Sequence, residues 1–195
     1  MKRAALALAC AAAFAAAVSA AARTVEDASG KVFEFASPPS AATVVPSISQ
    51  EIFAIGAQDF LLGNSNYCIY PEAAKSKPRL GGLLNPDYEK IASFKPDIFL
   101  LPLSPTGRAI ARRLESVGVR AFFTNPEGIG NISKDVALLG KVFFRDAEAE
   151  KIARGFDAEL SSPEGRAAGR GRRALFMFGN MAAGAGSFVG GLLEA

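Results

Sequence analysis

In the stretches that follow the apolar runs of this 195-residue chain, the side chains that can do chemistry are mostly hydroxyls, amides and phenols. Ser47 and Ser49 follow one short apolar run; Asn64, Asn66, Tyr67, Tyr70 and Arg79 lie in a polar stretch; Ser104 and Thr106 follow another apolar run. Such groups orient a ligand by hydrogen bonding and stacking, but they do not form an acid–base pair. The chain has no His. That excludes Ser-His-Asp and Cys-His catalysis, histidine metal sites and histidine pH switches. The plain reading of Ser47 and Ser104 is that they satisfy turn backbones. Tyr67 reads equally as a lid on the core or as a platform for a flat ligand. Glu89 reads as a helix-dipole residue, Gly81-Gly82 as a flexible turn, and Cys68 as a small buried side chain. Arg166, Arg170, Arg172 and Arg173 read as a solvated charge run.

Positioning these groups requires an α/β frame. Thr24-Val25-Glu26-Asp27 and Lys31-Val32-Phe33-Glu34-Phe35 predict a hairpin turning at Gly30. Residues 43–45 read as a buried strand stopped by Pro46, and Ser47 with Gln50 has capping-box spacing for a helix bearing Ile48, Ile52 and Ile55. Residues 60–63 read as a strand, and residues 64–84 as a long irregular loop. Asn85-Pro86-Asp87 reads as cap, first turn and dipole partner of a helix that ends at Lys95-Pro96. Residues 97–101 predict a fully buried strand, 108–117 a helix stopped by Gly118, and 119–123 another strand. Ile132, Val136, Leu139 and Phe143, then Ile152, Phe156 and Leu160, keep helical spacing on either side of a break at Arg145-Asp146. Residues 161–171 read as a linker, 174–178 as a new strand and 188–193 as an apolar turn. The alternation implies a doubly wound, mostly parallel α/β sheet. In such sheets ligands sit at the carboxyl ends of the strands, where the hydroxyl- and phenol-bearing loops fall.

Residues 1–22 have the pattern of a secretory signal peptide. Lys2 and Arg3 precede an uncharged Ala/Leu run that ends in small residues, with cleavage expected after Ala20 or Ala22. The run is long enough for a membrane anchor, but its Ala richness favours cleavage. Cys10 is no lipid-attachment site on this reading, because Ala7 stands where such a motif carries Leu. Without residues 1–22, 20 basic residues face 19 acidic ones and the net charge falls from +3 to +1. There is then no electrostatic case for nucleic acid. Cys68 remains alone, so no internal disulfide is expected.

In this order, several segments resemble the class III periplasmic substrate-binding proteins of ABC importers, which take up cobalamin, iron-siderophores and haem. They are Thr43-Val44-Val45-Pro46-Ser47-Ile48-Ser49-Gln50-Glu51-Ile52-Phe53-Ala54-Ile55-Gly56-Ala57, Asn66-Tyr67-Cys68-Ile69-Tyr70-Pro71-Glu72-Ala73, Gly81-Gly82-Leu83-Leu84-Asn85-Pro86-Asp87-Tyr88-Glu89-Lys90-Ile91, and Lys95-Pro96-Asp97-Ile98. Leu114-Glu115-Ser116-Val117-Gly118-Val119 and Ala174-Leu175-Phe176-Met177-Phe178 continue the pattern. The resemblance implies two α/β lobes joined by a long helix, with ligand in the cleft between them. It divides the chain into a signal peptide (1–22), an N-terminal ligand-binding lobe (23–130), a helical connector (131–162), and a linker with the beginning of a second lobe (163–195), which is expected to be cut short. It implies that Glu89 docks on permease arginines, that Tyr67 lies near the ligand, and that Leu83 stands where cobalamin binders carry an aromatic. A second docking Glu would lie beyond Ala195. Ser47, Tyr67, Leu83, Leu84 and Ser104 are the candidate ligand residues, since their loops share one sheet edge. The expected function is capture of a metal chelate or corrinoid by a monomeric, periplasmic, non-enzymatic protein that delivers it to an ABC importer permease in the inner membrane. No cofactor, catalytic residue or metal ligand is expected. The alternatives are an α/β enzyme or metal-cluster protein of related topology, and a truncated fragment without binding activity.

Overall fold

The computed structural model describes residues 22–125, 127–162, 176–178, 181–182, 184 and 189–191. The expected signal peptide, apart from Ala22, lies outside the described residues, as do residues 163–171 of the expected linker, 174–175 of the strand expected beyond it, and 188 and 192–193 of the expected apolar turn.

Strands β1 (Arg23–Glu26) and β2 (Val32–Phe35) pair antiparallel. Gly30 takes φ 87° in their turn, a conformation that glycine adopts without a Cβ penalty. Asp27 organises the turn. Its Oδ1 accepts from the Ser29 amide (2.8 Å), the Ser29 hydroxyl (2.6 Å) and the Lys31 amide (3.0 Å), and its Oδ2 accepts from the Phe123 amide (3.1 Å). The hairpin is thereby tied to the main sheet through one buried carboxylate.

That sheet uses β3 (Ala41–Thr43), followed by helix α1 (Pro46–Ala54) and β4 (Leu61–Gly63). The strand ends two residues earlier than expected, and Pro46 begins the helix instead of stopping a strand. Val45 is the N-cap and no side chain caps it, so Ser47 sits inside the first turn and the expected capping box is absent. The Thr43 hydroxyl serves the strand-to-helix turn instead, donating to the Leu100 carbonyl (2.9 Å) and accepting from the Val45 amide (3.1 Å).

The stretch 64–84 is more ordered than a polar loop. It contains a 3₁₀ turn at Glu72–Ser76 and the short strand β5 (Gly81–Gly82), which pairs with β6 (Asn85–Pro86). Asn85 and Pro86 are thus in a tiny hairpin and do not start the next helix. Asp87 caps α2 (Tyr88–Phe94), accepting from the Lys90 amide (3.0 Å). Then come β7 (Ile98–Pro102), α3 (Pro105–Glu115) and β8 (Ala121–Thr124). The Ser104 hydroxyl caps α3 by accepting from the Gly107 amide (3.0 Å). Only glycine fits at 107, because a Cβ there would lie 2.0 Å from the Pro102 carbonyl oxygen.

All four main strands are parallel, in the order β4-β3-β7-β8. Strand β7 is buried throughout and its side chains alternate between two cores. Ile98 and Leu100 join Ile48, Ile52, Leu61 and Phe122 on one face. Phe99 and Leu101 join Ile91, Ile110, Leu114 and Phe123 on the other. Helices cover both faces, so the sheet is doubly wound. Each fully buried Leu, Ile or Phe contributes roughly 1.5–3 kcal/mol.

Helices α4 (Ile132–Phe143) and α5 (Asp146–Leu160) complete the described fold. Phe144 (φ 58°) breaks the chain between them, and a Cβ on Gly140 would meet Ala149 Cβ at 2.4 Å, so they pack closely. The two helical runs expected on either side of Arg145-Asp146 are these two helices. Val136, Leu139, Val142 and Phe143 of α4 belong to the core of the lobe. Beyond α5, Met177–Phe178 and Met181–Ala182 form β9 and β10 of a short antiparallel pair. Among the described residues no helix is long and apolar enough to cross a membrane.

Candidate ligand-binding surface

Parallel strands bring their carboxyl ends to one edge. There, Val44, Val45 and Pro46 after β3 meet Tyr67, Leu83, Leu84 and Asn85 around a cavity of about 220 Å³. Three of the five candidate ligand residues, Tyr67, Leu83 and Leu84, thus share one surface. Its lining carries no charged residue. Tyr67 is 67% exposed and Leu84 90% exposed, with Ile69 and Tyr70 exposed nearby in sequence. Contiguous exposed apolar and aromatic groups mark binding surfaces on soluble domains.

Polar contacts beneath this surface hold it. Asn66 and Gly81 are paired in both directions: the Asn66 amide donates to the Gly81 carbonyl (2.8 Å), and the Gly81 amide to Asn66 Oδ1 (3.1 Å). The Tyr67 amide donates to the Ser65 hydroxyl (3.1 Å). Arg79 Nη1 lies within 2.7–3.0 Å of Asn64 Oδ1 and the Ser65 and Cys68 carbonyls, and Nη2 donates to the Lys75 carbonyl at 3.3 Å. Asn64, fully buried, donates to the Ala74 carbonyl (2.9 Å). Arg79 and Asn64, both rim candidates in the sequence, are thereby committed to fixing the loop that carries Tyr67. Tyr70 lines a different groove, with Gln50, Phe53 and Gln58. Cys68 is buried, as expected.

Ser47 opens onto a second cavity of about 380 Å³, lined by Val45, Ile48, Glu51, Pro102, Thr124, Ile132 and Asp135. Sequence reading finds no acid–base pair at the sheet edge, yet this cavity holds two carboxyl groups from α1 and α4. Burial first, and the Asp135 charge second, push the Glu51 carboxyl up to about 8. Burial also raises Asp135, against a lowering hydrogen bond from the Asn125 amide to its Oδ1 (3.0 Å). Glu51 Oε2 is buried with no hydrogen-bond partner among the described residues. A carboxyl held this way stays protonated at neutral pH and leaves the cavity weakly charged. No spacing signal could have found this pair, because the partners lie on helices far apart in the chain.

Ser104 is a lining residue of neither cavity; its hydroxyl is engaged at the α3 cap. Glu89 is exposed in the first turn of α2 and takes no part in the four ion pairs found among the described residues. No group of three or more His, Cys, Asp or Glu among them is placed to hold a metal ion.

A curated relative, the vitamin B12-binding protein of Yersinia pestis (strain Pestoides F), is 26% identical over 135 residues, 69% of this chain and 48% of the relative. The chain thus spans about half the length of the curated relatives it matches. Among solved structures, the siderophore-binding protein BauB, bound to two acinetobactin molecules and ferric iron, superposes with a TM-score of 0.71 at 20% identity, covering 87% of this chain and 64% of its own. A periplasmic heme-binding protein from Pseudomonas aeruginosa superposes with a TM-score of 0.60 at 21% identity, covering 68% and 48%. These structural neighbours share the class III binding-protein fold, and they are substrate-binding proteins, not enzymes. The family match runs over residues 42–195, from β3 past the end of α5, and by it the chain belongs to the periplasmic binding protein family.

Proposed function

We propose that the protein is a periplasmic substrate-binding protein that captures a metal chelate or corrinoid and delivers it to an ABC importer. The observation that carries this reading is the uncharged apolar surface at the carboxyl edge of the parallel sheet, where the exposed Tyr67 and Leu84 stand beside the half-buried Leu83. A broad ring or chelate shell needs such a wall, with a few polar groups at its border. Ser47 supplies a hydroxyl along that edge, while the Ser104 hydroxyl is taken up by the α3 cap. Glu89, exposed on a neighbouring helix turn, is the contact for permease arginines. Relatives and structural neighbours that bind vitamin B12, heme and a ferric siderophore complex support the ligand class. The signal-peptide pattern of residues 1–22 supports the compartment. The test is thermal denaturation with and without cyanocobalamin, hemin or a ferric siderophore. A rise in Tm with one of them, the ligand being recovered unchanged, is the expected result. No shift with any of them, or chemical conversion of the ligand, would refute the proposal.

A further inference from the structure

Gly82 is buried although its strand β5 is only two residues long and lies beside the exposed Tyr67. A Cβ built on Gly82 would lie 2.6 Å from Tyr67 Cε2 and 3.3 Å from Cδ2. One edge of the phenol ring therefore rests on the bare Cα of Gly82. The backbone there has no positive φ that would demand glycine, unlike Gly81 at φ 91°. What requires glycine at 82 is the ring. The approach is built into the loop, because the reciprocal Asn66–Gly81 hydrogen bonds align the residue before Tyr67 with the residue before Gly82. The next neighbour of the added carbon, Asn85 Oδ1 at 3.1 Å, is a side-chain atom of an exposed residue.

We infer that Gly82 is a positioning residue for ligand recognition: it seats the Tyr67 ring at a fixed height and tilt in the apolar wall, and any side chain there displaces the ring. The inference rests on the proposed ligand wall. It turns the turn-like Gly81-Gly82 pair into two separate requirements, with Gly81 serving the backbone and Gly82 serving the aromatic. Because the atoms that must yield belong to exposed side chains, Gly82→Ala shifts Tyr67 without unfolding the lobe.

The test is a double-mutant cycle with Tyr67→Ala, Gly82→Ala and the double variant. Each is titrated with cyanocobalamin, hemin and a ferric siderophore, and the ring resonances of Tyr67 are followed by NMR against those of Tyr70 and Tyr88. The expected result is that Gly82→Ala moves the Tyr67 resonances alone. It should weaken the bound probe by about 3–10-fold, the scale of an aromatic contact. The double variant should bind no worse than Tyr67→Ala alone. Unmoved Tyr67 resonances, or a Gly82→Ala loss that persists in full without Tyr67, would overturn the inference. The double variant has no ring to clash with, so a folding defect that persists in it would also overturn the inference, by assigning Gly82 to the backbone. Should Tyr67→Ala leave every probe unaffected, the ligand wall is refuted, and the role of Gly82 in recognition with it; a moved ring would still establish the seating itself.

Discussion

Two cavities lie at the same sheet edge and are built on opposite terms. The Tyr67–Leu83–Leu84 surface exposes apolar groups to water and hides its polar scaffold beneath. Nearly every polar atom of that scaffold has a partner, from Arg79 across to Asn64, Ser65 and Cys68. The Glu51–Asp135 cavity does the reverse. It has apolar walls but withdraws two carboxyl groups from water, one oxygen of Glu51 without a partner. The first region is stable as it stands and offers surface to something else. The second carries an electrostatic penalty whenever Glu51 ionises. The contrast separates binding from stability: variants of the carboxyl pair or of a helix cap should move stability alone, whereas a variant of the scaffold under Tyr67 should move both.

The largest effect belongs to the carboxyl pair. In the folded state Glu51 is raised from 4.5 to about 8, so the folded protein holds a proton that the unfolded chain releases. The Glu51 contribution to stability is then greatest below about pH 4.5, falls as pH rises towards 8, and levels off above that. At ~1.4 kcal/mol per unit, discounted for relaxation around a group that is not fully enclosed, the fall amounts to roughly 2–4 kcal/mol. Asp135, also raised, adds to the decline from its lower starting value. Urea titrations at pH 5, 6.5 and 8.5 should show this slope, and Glu51→Gln should flatten it while leaving ligand affinity unchanged. A flat profile in the unmodified protein would remove the contrast.

Arg79→Ala comes next. It removes the group that joins four points of the loop, at an expected cost of about 2–3 kcal/mol. Hydrogen exchange should quicken at the Asn66 and Cys68 amides, and probe affinity should fall with the loss of order at Tyr67. Arg79→Lys should recover only part, because a compact ammonium cannot reach the same set of acceptors. Unchanged exchange in Arg79→Ala would mean the scaffold does not depend on the guanidinium.

Ser104→Ala sharpens the border of the wall. Loss of the α3 cap should lower stability by about 1 kcal/mol. Probe affinity should change less than twofold. A larger affinity loss would make Ser104 a direct ligand contact. Glu89→Ala should be smallest for the chain itself, within about 0.5 kcal/mol in thermal melts. With a cognate permease it should slow association and weaken its salt dependence, leaving probe affinity intact. Equal loss of stability and docking would make Glu89 a structural residue.

Elements with a local signature were legible in the sequence. Gly30 between two apolar-polar runs gave the hairpin, and the uninterrupted Ile98-Phe99-Leu100-Leu101 gave the central strand. The errors lie where two local rules compete. Pro46 can stop a strand or start a helix, and it starts one. Asn85-Pro86 imitates a helix start, but Asp87 two residues later is the cap, because residues 85–86 are taken up by pairing with Gly81-Gly82. The order within residues 64–84 was not legible, since it comes from Arg79 reaching back up to 15 residues to Asn64. The same holds for Glu51 and Asp135, which only the fold brings together. Tyr67, Leu83 and Leu84 could be grouped because parallel strands send their following loops to one edge; how Gly82 seats the ring could not.

The central claim is that the exposed apolar wall binds ligand, and Leu84 tests it most directly. Its side chain is 90% exposed, so Leu84→Asp changes the surface without touching the core. Calorimetric titration of the unmodified protein and of Leu84→Asp with cyanocobalamin, hemin and a ferric siderophore should find at least one probe bound, and that probe weakened at least about tenfold, or ~1.4 kcal/mol, by the buried charge. Binding of that probe with equal affinity by both proteins, or binding of no probe by either, would contradict it.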